Sequence, residues 1–185
     1  MRMPKAKAKT KATKKVQKST KPKVKKPAKA ASRVLVGKSM PAFSAAGTGG
    51  KTVSLAEMKG KKIVLYFYPK DSTPGCTLEG HDFTRLHKEF KKAGAEIFGV
   101  SRDSMKSHEK FKEKECYSID LLSDEDEKLC KIFDVIKMKN MYGRQVRGIE
   151  RSTFVIDTDG KLKKEWRGVK VAGHAEEVLN FIKSL

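Results

Sequence analysis

Ile63-Val64-Leu65-Tyr66-Phe67-Tyr68 runs straight into Pro69-Lys70-Asp71-Ser72-Thr73-Pro74-Gly75-Cys76. The apolar run has the length of a buried strand, and the two prolines and the glycine then break it. Beyond Cys76, the residues Leu78, Phe83, Leu86 and Phe90 recur at near-helical spacing. This predicts a helix from Cys76 to about Lys92, closed by Gly94. The stretch is strand, loop and helix, with a thiol in the first helical turn. A group placed there meets unpaired backbone N–H groups and the positive end of the helix dipole, and both favour an anion. Thiolate is the nucleophilic form of cysteine, so the arrangement suits a thiol that attacks. The plainer reading, a small core residue, fits poorly because buried cysteines seldom follow a Pro-Gly turn at a helix start.

On either side the chain alternates. Met40-Pro41-Ala42-Phe43 opens the ordered part, and Thr52 to Leu55 predicts a short strand followed by a one-turn helix over 56–60. Ala95 to Val100 reads as a buried strand, Ser104 as the N-cap of a helix through Phe111, and Ile119 to Leu122 as a short strand. Ser123 is expected to cap a helix that starts on the acidic run 124–127 and ends near Phe133. Thr153 to Asp157 and Leu162 to Trp166 flank Thr158-Asp159-Gly160, a hairpin signal, and His174 to Leu185 forms a closing amphipathic helix. Strands alternating with helices imply an α/β fold with a central mixed sheet covered by helices on both faces. About 150 residues suffice for a core without disulfide staples.

The first 33 residues differ in kind. They hold 14 of the 42 basic residues and no acidic one, so they carry +14 of the formal +20. Without aromatic residues, and with Pro4, Pro22 and Pro27, this segment buries too little apolar surface to offset its ordering entropy. Residues 1–33 are therefore read as a disordered Lys/Ala/Pro-rich basic tail, and 34–185 as one folded domain. The tail lacks the apolar core of a secretory signal and the arginine-serine bias of a transit peptide. Its composition resembles the basic tails of histone-H1-type proteins. Such a run binds DNA or another polyanion through counterion release, without reading sequence. A solubilising arm without a partner, or a nuclear address in a eukaryotic host, are the other readings. No stretch is long and apolar enough to span a bilayer, so no membrane role is expected.

Pro69, Thr73 and Cys76 form P-x-x-x-T-x-x-C, and the wider string FYPKDSTPGCT resembles the bacterioferritin-comigratory, or Q, subfamily of peroxiredoxins. The similarity extends from about Val36 to Leu185. It implies a thioredoxin fold and a thiol peroxidase for antioxidant defence that needs no cofactor. It also implies Arg151, in Gly148-Ile149-Glu150-Arg151-Ser152, as the family's active-site arginine. Cys76 would then attack hydrogen peroxide or an organic hydroperoxide and become a sulfenic acid. Arg151 would favour the thiolate and hold the peroxide. Thr73 Oγ would accept from the hydroperoxide and donate to the sulfur, and Pro69 would shield the pocket from water. A thioredoxin-like reductant is the partner the resemblance suggests.

The sequence departs from many members at position 81, five residues after Cys76, where a histidine replaces the resolving cysteine. That leaves two routes open: a one-cysteine cycle completed by an external thiol, or resolution by Cys116. Cys130 reads as a helix residue without a redox role. Three cysteines, an odd number, fit a reducing compartment, and a cytoplasmic monomer is expected, nucleoid-associated if the tail binds DNA. No metal site is expected: His81 and His87 do not share a helix face, and His108 and His174 lack partners at ligand spacing. A disulfide reductase would need cysteine at position 73. The alternative of a different class is a nucleic-acid-associated protein that uses the thioredoxin-like domain as a redox sensor or scaffold.

Overall fold

The computed structural model describes residues 33–141 and 143–185. The basic tail assigned to residues 1–33 lies outside them except for Arg33, whose guanidinium pairs with Glu165. The central strand β3 (Lys62–Phe67) is buried on both faces. Ile63, Leu65 and Phe67 pack into one core, Val64 and Tyr66 into the other, as a strand's alternation demands. β3 runs parallel to β4 (Ala95–Ser101), which in turn pairs in parallel with β5 (Asp120–Ser123). On its other side β3 pairs antiparallel with β8 (Ser152–Ile156), and β9 (Leu162–Arg167) completes that edge. The opposite edge is the hairpin β1 (Ser44–Gly47) and β2 (Lys51–Ser54), so the order is β2-β1-β5-β4-β3-β8-β9. This is the expected mixed sheet.

Helices cover both faces. α1 (Pro74–Lys92) and α4 (His174–Lys183) bury Phe83, Phe90, Val178 and Ile182 on the Val64–Tyr66 side, joined by Phe111 of α2 (Met105–Lys114). The short α3 (Lys128–Ile132) sends Leu129 to the other side, beside Phe133, Met40 and Phe43. The Ser104 cap is present, with its hydroxyl accepting from Ser107 N at 3.4 Å. Leu78, expected on the apolar stripe of α1, is instead 60% exposed.

Two local readings need correction. Residues 56–60 form hydrogen-bonded turns rather than a helix, closed by Met58 N to Ser54 O and Lys59 N to Ala56 O. The acidic run 124–127 also turns instead of opening a helix. Buried Asp124 supplies the cap, accepting from Leu129 N at 3.0 Å and Cys130 N at 2.7 Å, while Ser123 Oγ donates to the Asp103 carbonyl. Glu127 adopts φ +57, and Arg102 and Arg147 hold its carboxyl at a pKa of about 2; the Arg147 hydrogen bonds are the larger effect. Neighbouring carboxylates are thus separated by turns rather than stacked in one helical turn. Three strands add to the expected ones: β1 and the hairpin β6 (Ile136–Met141) with β7 (Arg144–Ile149). β1 is Ser-Ala-Ala-Gly, and a Cβ at Gly47 would stand 3.0 Å from Leu122 Cδ2, a tight contact that the leucine side chain would have to yield to.

Candidate active site

The pairing of β3 with β8 assembles the site. Phe67 at the end of β3 faces Ser152 at the start of β8. Arg151, one residue earlier, therefore lies beside the loop that follows β3 and opens α1. Thr73 is the N-cap residue and Pro74 the first helical residue, whose missing N–H costs nothing there. The Thr73 side chain does not cap this helix end, which among the described residues leaves the first-turn amides available to a ligand.

Cys76 is 2% exposed, and Arg151 Nη2 stands 3.3 Å from its sulfur. The other guanidinium nitrogen, Nη1, pairs with Glu79 Oε2. Gly75 leaves room for this: a Cβ would lie 3.3 Å from Arg151 Nη2. Burial works against the Arg151 charge, but Glu79 and the sulfur outweigh it and hold the guanidinium's pKa above its ordinary value.

Thr73 and Pro69 lie where expected along the loop, both half-buried. The Thr73 hydroxyl donates its one proton to the Lys70 carbonyl at 3.0 Å. In this arrangement the oxygen is free to accept from a peroxide but not also to donate to the sulfur, a correction to the dual role expected of it.

Glu79 escaped sequence reasoning, although its spacing of three from Cys76 places both on one face of α1. It is 1% exposed, and its Oε1 has no hydrogen-bond partner among the described residues. Burial pushes its carboxyl up to about 7 against the pull of Arg151. Because the folded value lies above the unfolded one, the stabilising effect is full below about pH 4.5 and is lost as pH rises through about 7. The shift corresponds to about 3 kcal/mol at 1.36 kcal/mol per unit. Glu79→Gln should abolish this slope. Urea midpoints at about pH 5 and about pH 8 should converge relative to the parent protein, and an unchanged difference would exclude Glu79 as its source.

Next to the site, Tyr117 lies directly on α1. Its hydroxyl donates to the Thr77 carbonyl at 3.0 Å, and a Cβ on Gly80 would come within 2.4 Å of its ring. His81 Nε2 meets Glu115 Oε2 at 3.0 Å. Between Glu115 and Tyr117, the exposed Cys116 ends α2 at φ +54, a position glycine usually takes. Its N–H donates to Glu113 O, and that of Tyr117 to Lys112 O. Cys130 is fully buried, and burial pushes its thiol well up, so it is unreactive where it stands. All three cysteines are free thiols. Among the described residues no group of His, Cys, Asp and Glu side chains could hold a metal ion.

Known proteins share this architecture. The family model described as AhpC/TSA matches residues 36–165. The chain is 58% identical over 137 residues to Peroxiredoxin Bcp of Xanthomonas campestris, covering 74% of this chain and 86% of that one. It is 50% identical over 150 residues to Peroxiredoxin Bcp of Bacillus subtilis, covering 81% and 96%. The Xylella fastidiosa PrxQ crystal structure, a cysteine-to-serine mutant, superposes with a TM-score of 0.79 at 44% identity, over 83% of this chain and 98% of that one. A structure of the Xanthomonas campestris bacterioferritin comigratory protein, studied for alkyl peroxide reduction, gives 0.73 at 55% identity, over 77% and 90%. A buried thiol at a helix start, an arginine 3.3 Å from it and these similarities agree: the chain belongs to the AhpC/TSA family, among the Bcp/PrxQ peroxiredoxins.

Proposed function

We propose that Cys76 is the attacking thiol of this thiol peroxidase and that Arg151, Thr73 and Pro69 form its peroxide pocket. The observation that carries the proposal is the Arg151 guanidinium, anchored on Glu79 and 3.3 Å from Cys76 Sγ. The thiolate attacks one peroxide oxygen, the O–O bond breaks, and the other oxygen leaves with its electron pair as water or alcohol after taking a proton. Arg151 and the first-turn amides of α1 stabilise the charge on the oxygens. Thr73 Oγ accepts from the hydroperoxide, orienting it along the line of attack. Pro69 covers one side of the pocket. Hydrogen peroxide and organic hydroperoxides are the substrates.

A thioredoxin-like dithiol completes the cycle. Its first thiol displaces the sulfenic oxygen as water, forming a mixed disulfide, and its second thiol releases Cys76. The test is intact mass after one equivalent of hydrogen peroxide, with a sulfenic-acid trap and peptide mapping. A trapped adduct on Cys76 is expected. A Cys76–Cys116 disulfide would instead show that Cys116 resolves the intermediate within the chain. A free Cys76 thiol would overturn the assignment.

The protein acts as a monomer in the reducing cytoplasm, and its tail tethers it to DNA or another polyanion. The tail's +14 charge supports this. With about eight phosphates neutralised, log K should fall against log salt with a slope near −7. Deleting residues 1–33 should abolish DNA retardation at low salt and leave peroxide turnover near normal. An absence of retardation in the full chain would remove the tether.

A further inference from the structure

Behind the reactive loop lies a buried polar cluster that the peroxide chemistry does not use. Asp71, 6% exposed, stands midway between β3 and α1. Its Oδ1 accepts from the Tyr68 hydroxyl at 2.8 Å, and its Oδ2 accepts from Ser107 Oγ at 2.7 Å. Its backbone N–H donates to Asp103 Oδ2 at 2.9 Å. Both carboxylate oxygens face His108 Nδ1, at 3.1 and 3.0 Å. His108 is fully buried on α2, and its Nε2 lies 3.2 Å from the Leu122 carbonyl on β5.

A backbone carbonyl and a carboxylate can only accept hydrogen bonds. A neutral imidazole has one N–H, so one of its nitrogens would present a lone pair to an acceptor. Tyr68 offers no way out: its proton goes to Asp71, and its oxygen, 3.4 Å from Nδ1, presents lone pairs as well. Only the imidazolium donates on both sides. Burial alone would push the Asp71 carboxyl up, but hydrogen bonds from His108 and Ser107 outweigh it and hold it below the usual carboxylate range. The partner of the imidazolium is thus a carboxylate, and the buried pair is neutral overall.

This pair grips the loop at its tightest point. Ser72, the next residue, adopts φ +56, a left-handed conformation uncommon for a residue with a side chain. Thr73 follows, and then α1 with Cys76. The groups around His108 come from four elements: Tyr68 after β3, Asp71 in the loop, Ser107 and its neighbours on α2, and the Leu122 carbonyl on β5.

We propose that His108 is a buried imidazolium and a positioning residue for the peroxidase reaction, clamping the Pro69–Cys76 loop through Asp71 so that Thr73 and Cys76 face Arg151. The inference rests on Cys76 being the nucleophile. Its first test is independent of that: the ring-nitrogen NMR spectrum of the reduced, full-length protein at neutral pH, with the His108 signals assigned by their absence in His108→Gln. Both nitrogens should carry imidazolium shifts and slowly exchanging protons, and Asp71→Asn should abolish that signature. A neutral tautomer in the folded parent protein would overturn the proposal.

The second test is the single-turnover rate of Cys76 oxidation by hydrogen peroxide in Asp71→Asn, His108→Gln and the double variant. Each single change should slow it at least about tenfold, and the double should be no slower than the singles, because the two residues act as one unit. An unchanged rate in folded Asp71→Asn or His108→Gln overturns the proposal. If the parent protein itself failed to oxidise at Cys76, the nucleophile assignment would fall while the ring-nitrogen result still stood.

Discussion

A Cys76→Ser protein is expected to consume no peroxide above the buffer rate, a loss of at least about a thousandfold. A serine hydroxyl has almost no anionic form at neutral pH, and neither a helix N-terminus nor an arginine makes up that difference. The sulfur is buried and replaced by a smaller oxygen, so the fold should survive, and the change in stability should stay within about 1 kcal/mol. The measurement is peroxide consumption with thioredoxin and its reductase in excess. Turnover retained in a folded Cys76→Ser protein would sink the mechanism, because the remaining thiols are either fully buried, as Cys130 is, or exposed and engaged with the Glu113 carbonyl, as Cys116 is.

Arg151→Met should produce the second large effect, and it has two parts. Loss of a charge aimed at the reacting atoms should slow the peroxide step by about 10² to 10³, as removal of one preorganised donor does elsewhere. The same change strands Glu79, 1% exposed, without its cationic partner. At a pH well above 7, where Glu79 is ionised, breaking a buried pair from one side costs about 3 to 5 kcal/mol. The double variant Arg151→Met/Glu79→Gln separates the two parts. It should regain most of the lost stability and none of the lost rate. Stopped-flow oxidation and urea unfolding of the three proteins would decide this; a double variant with parental rate would remove Arg151 from the chemistry.

Cys76 and its structural frame were legible in the sequence because they depend on local rules. An apolar run, a proline-glycine break and a helical repeat are written in consecutive residues, and they placed β3, α1 and Cys76 to within two residues. Arg151 was legible only through family resemblance, since nothing in residues 148–152 announces that β8 pairs with β3. Glu79 and the Asp71–His108 pair were not read at all. A charged residue on a helix looks solvated until the sheet on the other side is known, and whether a histidine carries a proton depends on acceptors from four separate segments. The strands β1, β6 and β7 were missed as well: β1 is only Ser-Ala-Ala-Gly, and β6, where Ile136 and Met138 alternate with Lys137 and Lys139, pairs with β7 in a separate two-stranded sheet.

The pairing of β3 with β8 also has a consequence in time. Cys76 and Arg151 are 75 residues apart in the chain, and only closure of the central sheet brings them together. At roughly 5 to 20 residues per second, a ribosome takes about 4 to 15 s to pass from one to the other. Until β8 has been made and docked, the thiol has neither its arginine nor its pocket. On the proposed assignment, the nascent chain therefore displays a cysteine without its activating partner, and peroxide encountered during synthesis finds no better target there than any other exposed thiol. On that assignment, reactivity switches on with the long-range contact that completes the fold.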